Sequence, residues 1–593
     1  MIDRLERDIE RHWRLIVVVA WLGFCVYFLW QKQAAIHWFA LGDTDDNTRM
    51  AQVRAWLTGQ GWYDLRQHRL DPVHGGANIH WSRLVDLPIA GLILLFRLFV
   101  APITAEKYAA AIAPMIPLLP MIWALALTAR RLVGALAVPL TIVALFMAGA
   151  TLGMVQPLRI DHHGWQLAFL ALSLAGLADP DRRRGGLTTG IATALGLSIG
   201  LEMIIYMAMM GVAQVLFWVQ DEGERERLAA YALSLSVGTT LAFLIFGSND
   251  NWHAVCDALS PVWLSDALAG SALLAGLVFV RGLSWQRRLL VALGAGIVIA
   301  AFHALAWPKC LSRLEGISPE ADQLWMSHVQ EARPIWKHGA ETTMLILGLP
   351  VAGLIGYAMM AWRARGNGDL QRRILAVAAP LLAAMLLLAW QTRTGPAAQM
   401  MSLVGAAGLI AVLVPIAQGS RFSGVRVVAT VVAVLAGLGA LTPLIATQFP
   451  EEKKTAYSNR VDAANRRCPT LPALRPIALQ PKGIIFTFVD FGPRIIAMTH
   501  HDAITGPYHR NYQAIVDVMK AFRGDAAQAH AIIVDKYRSN YVLICPDQSS
   551  ATIFRSEAPK GFYVQLAGGK VPSWLQPVDL GKTSPWTMWK VVG

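Results

Sequence analysis

Apolar stretches about 20 residues long, the length that crosses a bilayer, recur along most of this chain with basic clusters between them. The pattern predicts spans near 15–35, 107–128, 133–152, 164–178, 187–201, 203–219, 228–247, 262–280, 288–306, 341–362, 373–390, 397–416 and 426–447. The reading is a polytopic α-helical membrane protein with about thirteen transmembrane helices. Basic clusters test the path: the N-terminal MIDRLERDIERHWR, ARR at 129–131, DRRR at 181–184, ERER at 224–227, RGLSWQRR at 281–288, RARGNGDLQRR at 363–373, and the stretch around Arg421 and Arg426. With alternating spans they all fall on one side, which the positive-inside rule makes the cytoplasm. The N-terminal segment reads as a cytoplasmic amphipathic lead into a retained span, not as a cleaved signal. The other side receives a first external loop at 37–106, the segment around Cys256, a long external loop at 307–340, TRTG at 392–395, and the chain after 448. One further apolar run, LPIAGLILLFRLFVAPI at 87–103, would break the alternation. Its arginine and prolines mark it as an interfacial helix within the first external loop.

From about 448 the period shortens to two, in GIIFTFV, AIIVD, NYVLIC and GFYVQL, with a helical stretch near 511–523. These predict a soluble α/β domain at 448–593, external to a transmembrane domain at 1–447.

Composition agrees. Of 593 residues, 55% are hydrophobic and 15% charged, and the mean hydropathy is +0.44, which excludes a soluble globular protein. The net charge of +13 follows from positive-inside loops. No stripe of basic and aromatic residues accompanies it, so nucleic acid is not the partner. Cys25 lies in the first span as an apolar filler, whereas Cys256, Cys310, Cys468 and Cys545 fall outside, where disulfides persist. Four cysteines allow three connectivities; pairing Cys256 with Cys310 and Cys468 with Cys545 keeps each bridge within neighbouring loops or one domain. Alanine- and arginine-rich composition without eukaryotic targeting signals points to a bacterial inner membrane.

Two polar clusters stand at the ends of apolar runs: GDTDDNTR at 42–49 and RIDHHG at 159–164. Asp43, Asp45 and Asp46 repel one another unless a cation or an arginine is near; alternatively Asp45 or Asp46 caps a helix beginning at Asn47. Asp161, His162 and His163 sit at the mouth of two spans, where ionisable groups are costly and tend to be functional. Glu331 in SHVQEARP, Arg393 in QTRTG and Glu202 in GLEMIIY are single charges whose surroundings decide their meaning. Carboxylates with His163 suit a divalent cation, Mg²⁺ or Mn²⁺, with Zn²⁺ as the alternative. Such a cation beside an arginine is what a phosphate leaving group needs.

Together these motifs resemble the catalytic subunit of oligosaccharyltransferases, the single-subunit bacterial and archaeal enzymes of the GT-C glycosyltransferase fold. The resemblance implies that Asp45, in DTDDNTR with Arg54 nine residues on, is a catalytic metal ligand. IDHHG would supply Asp161 and His163, with Asp43 as a further ligand and Asp46 and His162 beside them. HVQE ends on Glu331, similar to the catalytic glutamate of the family's long external loop. Arg393 matches the arginine that contacts the lipid-linked phosphate. His80, in NIHWSRLVD, and Glu202 would add to the site. Where the family carries WWDYG, this chain has FVDFG at 488–492, which keeps Asp490 and Gly492 but neither tryptophan; in the family those tryptophans help recognise the acceptor sequon. THHDAITGPYHRN at 499–511 offers His500, His501, His509 and Arg510 to an acceptor or a glycan phosphate.

The expected function is a metal-assisted membrane glycosyltransferase. It would move a sugar or glycan from a polyprenyl-phosphate-linked donor to a lipid, polysaccharide or protein acceptor on the periplasmic face, with inversion by family implication. Alternatives are an oligosaccharyltransferase acting on protein Asn or Ser/Thr, a metal-dependent hydrolase of lipid-linked intermediates, and a transporter, whose expected internal symmetry is not evident.

Overall fold

The computed structural model describes residues 2–312, 316–446, 448 and 455–592. The expected junction near 447–448 adjoins 447 and 449–454, which lie outside the described residues, as do 313–315 of the long external loop. The chain is a multi-pass helical membrane protein with a C-terminal α/β unit. Among the described residues, eight helices are long and apolar enough to span: Asp3–Gln31, Pro102–Leu132, Glu222–Phe246, Pro261–Val278, Trp285–Ala306, Ala340–Gly366, Gly368–Leu387 and Thr392–Gln418. Three shorter apolar helices, His163–Leu177, Ile204–Gln220 and Ser423–Gly437, coincide with further expected spans. The remaining two differ. The run expected at 133–152 is broken into Ala137–Leu145 and Gly149–Gly153, and the one at 187–201 lies in Arg182–Ile199, whose first turn is RRRGG. The count of about thirteen therefore exceeds what length and apolarity give.

Small residues let helices approach closely where lipid offers no hydrophobic drive. Helix Arg182–Ile199 packs against Arg225–Phe246 with Gly190 against the carbonyl of Tyr231, where a Cβ would lie 2.8 Å away. Gly356 and Gly405 bring Ala340–Arg363 and Gly395–Gln418 equally close, with no room for a side chain. Three of the basic clusters meet at one end of the bundle: Asp179 takes Arg131 and Arg184 at 2.6 Å each, and Glu224 takes Arg227 at 2.6 Å and Arg182 at 3.1 Å. From there helix Arg182–Ile199 climbs about 27 Å, at 1.5 Å per residue, towards Glu202. The apolar run at 87–103 forms helix Arg83–Arg97 in the first external loop.

The tail builds a five-stranded sheet from β1 (Ile484–Phe486), β2 (Asp502–Ala503), β3 (Tyr541–Ile544), β4 (Leu575–Val578) and β5 (Thr587–Val591), in the order β2-β1-β3-β5-β4. β1 runs parallel to β2 and β3, and β5 antiparallel to β3 and β4. GIIFTFV and NYVLIC supply β1 and β3, and the expected helix is Tyr512–Arg523. AIIVD forms a π-helical turn, Ala531–Lys536, and GFYVQL the helix Phe562–Ala567. Phe562, Tyr563 and Leu566 are buried, a helical spacing that short apolar runs do not reveal in advance. Both disulfides, Cys256–Cys310 and Cys468–Cys545, are formed.

The segment at 37–106 carries the tail. Arg69 bonds Asp502 at 3.1 Å and the carbonyls of Ile496, Thr499 and His501. Arg54 joins Glu106 at 2.7 Å and the carbonyl of Ala497, and Arg494 reaches Asn47 at 3.0 Å. Phe488 is fully buried among Phe522, Phe554 and Tyr563, with ring centroids 5.3–5.7 Å away. Phe488→Ala is expected to cost about 3–5 kcal/mol, read as a lowered midpoint in thermal melts of the full chain.

Candidate active site

Asp43 caps helix Thr44–Leu57, its Oδ1 accepting from the amides of Asp45 at 2.9 Å and Asp46 at 3.3 Å. Asp46 closes the capping box by accepting from the Asp43 amide at 3.0 Å. The cap is thus Asp43, not Asp45 or Asp46, and the helix begins at Thr44. Capping consumes only part of each carboxylate's lone-pair capacity. The Asp46 Oδ1 also accepts from the Asp161 amide at 3.1 Å, which stitches the first external loop to RIDHHG. Asp161 in turn accepts from the His163 amide at 3.1 Å and so starts helix His163–Leu177.

The guanidinium of Arg159 lies among the three acids. It pairs with Asp161 at 2.6 Å, with Asp46 at 3.5 Å, and with Asp43. One oxygen from each of Asp43, Asp46 and Asp161 lies within 4.8 Å of the others, a group able to hold a metal ion. Among the described residues, Asp45 and His163, expected as ligands, are not in that group. Asp45 stands beside it. Burial, then the charges of Asp43 and Asp161, pushes its carboxyl up to about 7. Burial and the Asp43 charge also lift Asp46 well above its ordinary value, against the pull of Arg159. Three acids facing one guanidinium have more negative charge than Arg159 can balance, and the donor set, all oxygen, fits Mg²⁺ or Mn²⁺.

His162 turns away from the acids. Its Nε2 meets Glu202 at 2.9 Å, and its Nδ1 lies 3.4 Å from Arg49. Arg49 is fully buried, pairs with Asp86 at 2.8 Å and stacks 4.4 Å over Trp81. Gln166 bridges His163 and Glu202: its Oε1 accepts from His163 Nδ1 at 3.2 Å and its Nε2 donates to Glu202. Tyr508 of the tail donates to Thr48 at 2.6 Å above the same helix.

Glu331 and Arg393 meet each other at 2.8 Å, both exposed. Backbone bonds from Thr392 to Arg333 and from Ile335 to Leu388, 2.9 Å each, pin the long loop to this helix end. Glu331 is near enough for its charge to bear on Asp45. His80 stacks on His509 instead of on the acids, and His509 and Arg510 both bind Asp257. Asp490 stays in the tail, accepting from Ser550 at 2.6 Å. His501 is a buried brace between Gly483 and Ile477, and His500 meets the carbonyl of Gln480.

Sequence reasoning assigned no role to Arg159, Arg49, Gln166, Tyr508 or Asp257. A signal existed for the two arginines, since each belongs to one of the polar clusters. Tyr508 lies within THHDAITGPYHRN and Asp257 beside Cys256, yet only the fold brings these two side chains to the site.

No family profile and no curated protein matches this chain by sequence. Solved structures match it in shape. The archaeal oligosaccharyltransferase AglB from Archaeoglobus fulgidus, in complex with an inhibitory peptide and a dolichol-phosphate, superposes with a TM-score of 0.67 at 14% identity, over 96% of this chain and 73% of that one. The Archaeoglobus fulgidus oligosaccharyltransferase tethered with an acceptor peptide containing the NVT sequon gives a TM-score of 0.67 at 13% identity, over 99% and 75%. Its complex with zinc and sulfate gives 0.57 at 14%, over 87% and 67%. Membrane helices and tail together, this chain shares its fold with the Archaeoglobus fulgidus oligosaccharyltransferase.

Proposed function

We propose that this chain is a glycosyltransferase of the bacterial inner membrane, with a cytoplasmic N-terminus, a catalytic membrane unit at 1–447 and a periplasmic tail at 448–593. It moves a sugar or glycan from a polyprenyl-phosphate-linked donor to an acceptor on the periplasmic face. The observation that carries this reading is the meeting of Asp43, Asp46 and Asp161 from two distant loops around Arg159, in a fold shared with a protein crystallised with a dolichol-phosphate.

Asp43, Asp46 and Asp161 would hold a divalent cation, with Asp45 and His163 adjacent. A cation there supplies positive charge to the departing phosphate. Arg393 binds the phosphate oxygens through its planar fork. Asp45, which stands beside this group, takes the acceptor proton, and Glu331 orients the acceptor. Phosphate leaves as the new glycosidic bond forms, and the acceptor's proton passes to the carboxylate.

A hydroxyl on a lipid or polysaccharide is the favoured acceptor. Phe488 is wholly buried and Phe491 packs edge-on against Trp586 at 4.6 Å, so FVDFG is spent on the tail's core instead of on a peptide groove. Protein glycosylation is the second reading, supported by the structural neighbour tethered with an acceptor peptide.

Asp161→Asn should lower transfer about 100-fold or more, the scale of losing one charge-stabilising contact in the transition state. A comparison of glycolipid, polysaccharide and glycoprotein from the deletion strain and this variant reads both activity and acceptor; free sugar as the product would instead indicate hydrolysis. Chelation should abolish transfer by the purified chain, and Mn²⁺ or Mg²⁺ should restore it. Arg159→Gln should destabilise the metal-free chain by about 3–5 kcal/mol, the cost of stranding buried charge. Added Mn²⁺ should recover most of that loss in a thermal melt.

A further inference from the structure

Three side chains from distant segments meet where the tail rests on the external loops. His80 comes from the first loop, Asp257 lies beside the bridged Cys256, and His509 lies near the end of the THHDAITGPYHRN stretch. One ligand atom from each lies within 4.8 Å of the other two. His509 Nε2 is 2.5 Å from Asp257 Oδ2, and the His80 and His509 ring centroids are 4.6 Å apart. The side chains of Asp257 and His509 are only 10% and 13% exposed.

The arrangement is braced from behind. Arg510 grips Asp257 through Nε and Nη2 at 2.7 Å each, and donates to Asn78 at 3.0 Å and Asn251 at 2.8 Å. This fork fixes the carboxylate, as outer partners commonly fix metal ligands. His80 Nδ1 is buried with no hydrogen-bond partner among the described residues. An unsatisfied buried ring nitrogen is costly, and a metal ion satisfies it.

Two imidazoles and one carboxylate form a zinc-type donor set, unlike the all-oxygen group at Asp43, Asp46 and Asp161. Zinc bonds of about 2.0–2.2 Å place tetrahedral ligand atoms roughly 3.3 Å apart. A slight parting of His509 from Asp257 and a turn of the His80 ring would reach that spacing, with the ion replacing the proton shared by His509 and Asp257.

We propose that His80, Asp257 and His509 form a second divalent-cation site, selective for Zn²⁺, that staples the tail to both external loops. The proposal does not depend on the transferase reading. Its test uses the full chain carrying Asp46→Asn and Asp161→Asn, which removes the carboxylate group. After chelation, the protein is dialysed against Zn²⁺ alone, and bound metal and melting temperature are measured. About one zinc per chain, the complement of one such site, should remain and should raise the melting temperature. Adding His80→Gln and His509→Gln should abolish both effects, with the metal-free melting temperature close to the parent's. Zinc content unchanged by the histidine substitutions, or no zinc retained by the parent, overturns the proposal. Should the histidine variants fail to fold, X-ray absorption at the zinc edge of the parent decides. Imidazole scattering supports the site, and a purely oxygen shell or unbound zinc rejects it.

Discussion

Arg159 and the three carboxylates around it are the constraint on which the external face depends. Each carboxylate has a second duty in the backbone. Asp43 and Asp46 cap one helix between them, Asp46 takes the amide of Asp161, and Asp161 takes the amide of His163. The first external loop and RIDHHG are therefore held together by the same groups that gather negative charge. Mutual repulsion alone would drive those groups apart; the guanidinium allows them to meet. It does so incompletely: burial and the Asp43 charge lift the Asp46 carboxyl above its ordinary value against the pull of Arg159. A site under-neutralised by its own protein is prepared for a cation from solution.

Behind this group lies a second layer of charge that fixes rotamers. Asp86 holds Arg49 and Arg83, Arg49 faces His162, and His162 holds Glu202. Arg49 and Asp86 are wholly buried, and breaking such a pair strands a charge. These residues set which imidazole faces the acids, and they explain how adjacent histidines, His162 and His163, take different parts. The tail adds a lid of the same kind, because Arg69, Arg54 and Arg494 seat it on the first loop and so bring Tyr508 over the helix that carries Asp45.

Much of this was legible in the chain, for physical reasons. Span length is set by bilayer thickness, so apolar runs locate membrane helices well. The run at 133–152 misled because composition does not show a break such as the one between Leu145 and Gly149. Acids and histidines at span ends announce a site, yet which of Asp43, Asp45 and Asp46 turns towards Asp161 is settled by capping geometry, one turn of backbone. In the tail, AIIVD and GFYVQL read as strands because four to six apolar residues fit either period. The burial of Phe562, Tyr563 and Leu566 on one helical face belongs to the tertiary fold.

The loop at 307–340 meets the helix end at 392–395 through a weak contact. Arg393 meets Glu331 in an exposed pair, and such pairs are worth only about 0–1 kcal/mol. A phosphate, with more charge and a geometry matched to the guanidinium fork, competes for Arg393 at little energetic cost. Displacing Glu331 would release a carboxylate whose charge bears on Asp45. The weak pair thus leaves Arg393 and the loop that carries Glu331 able to part at little cost. A buried, strong pair at the same place would hold both groups out of the reaction.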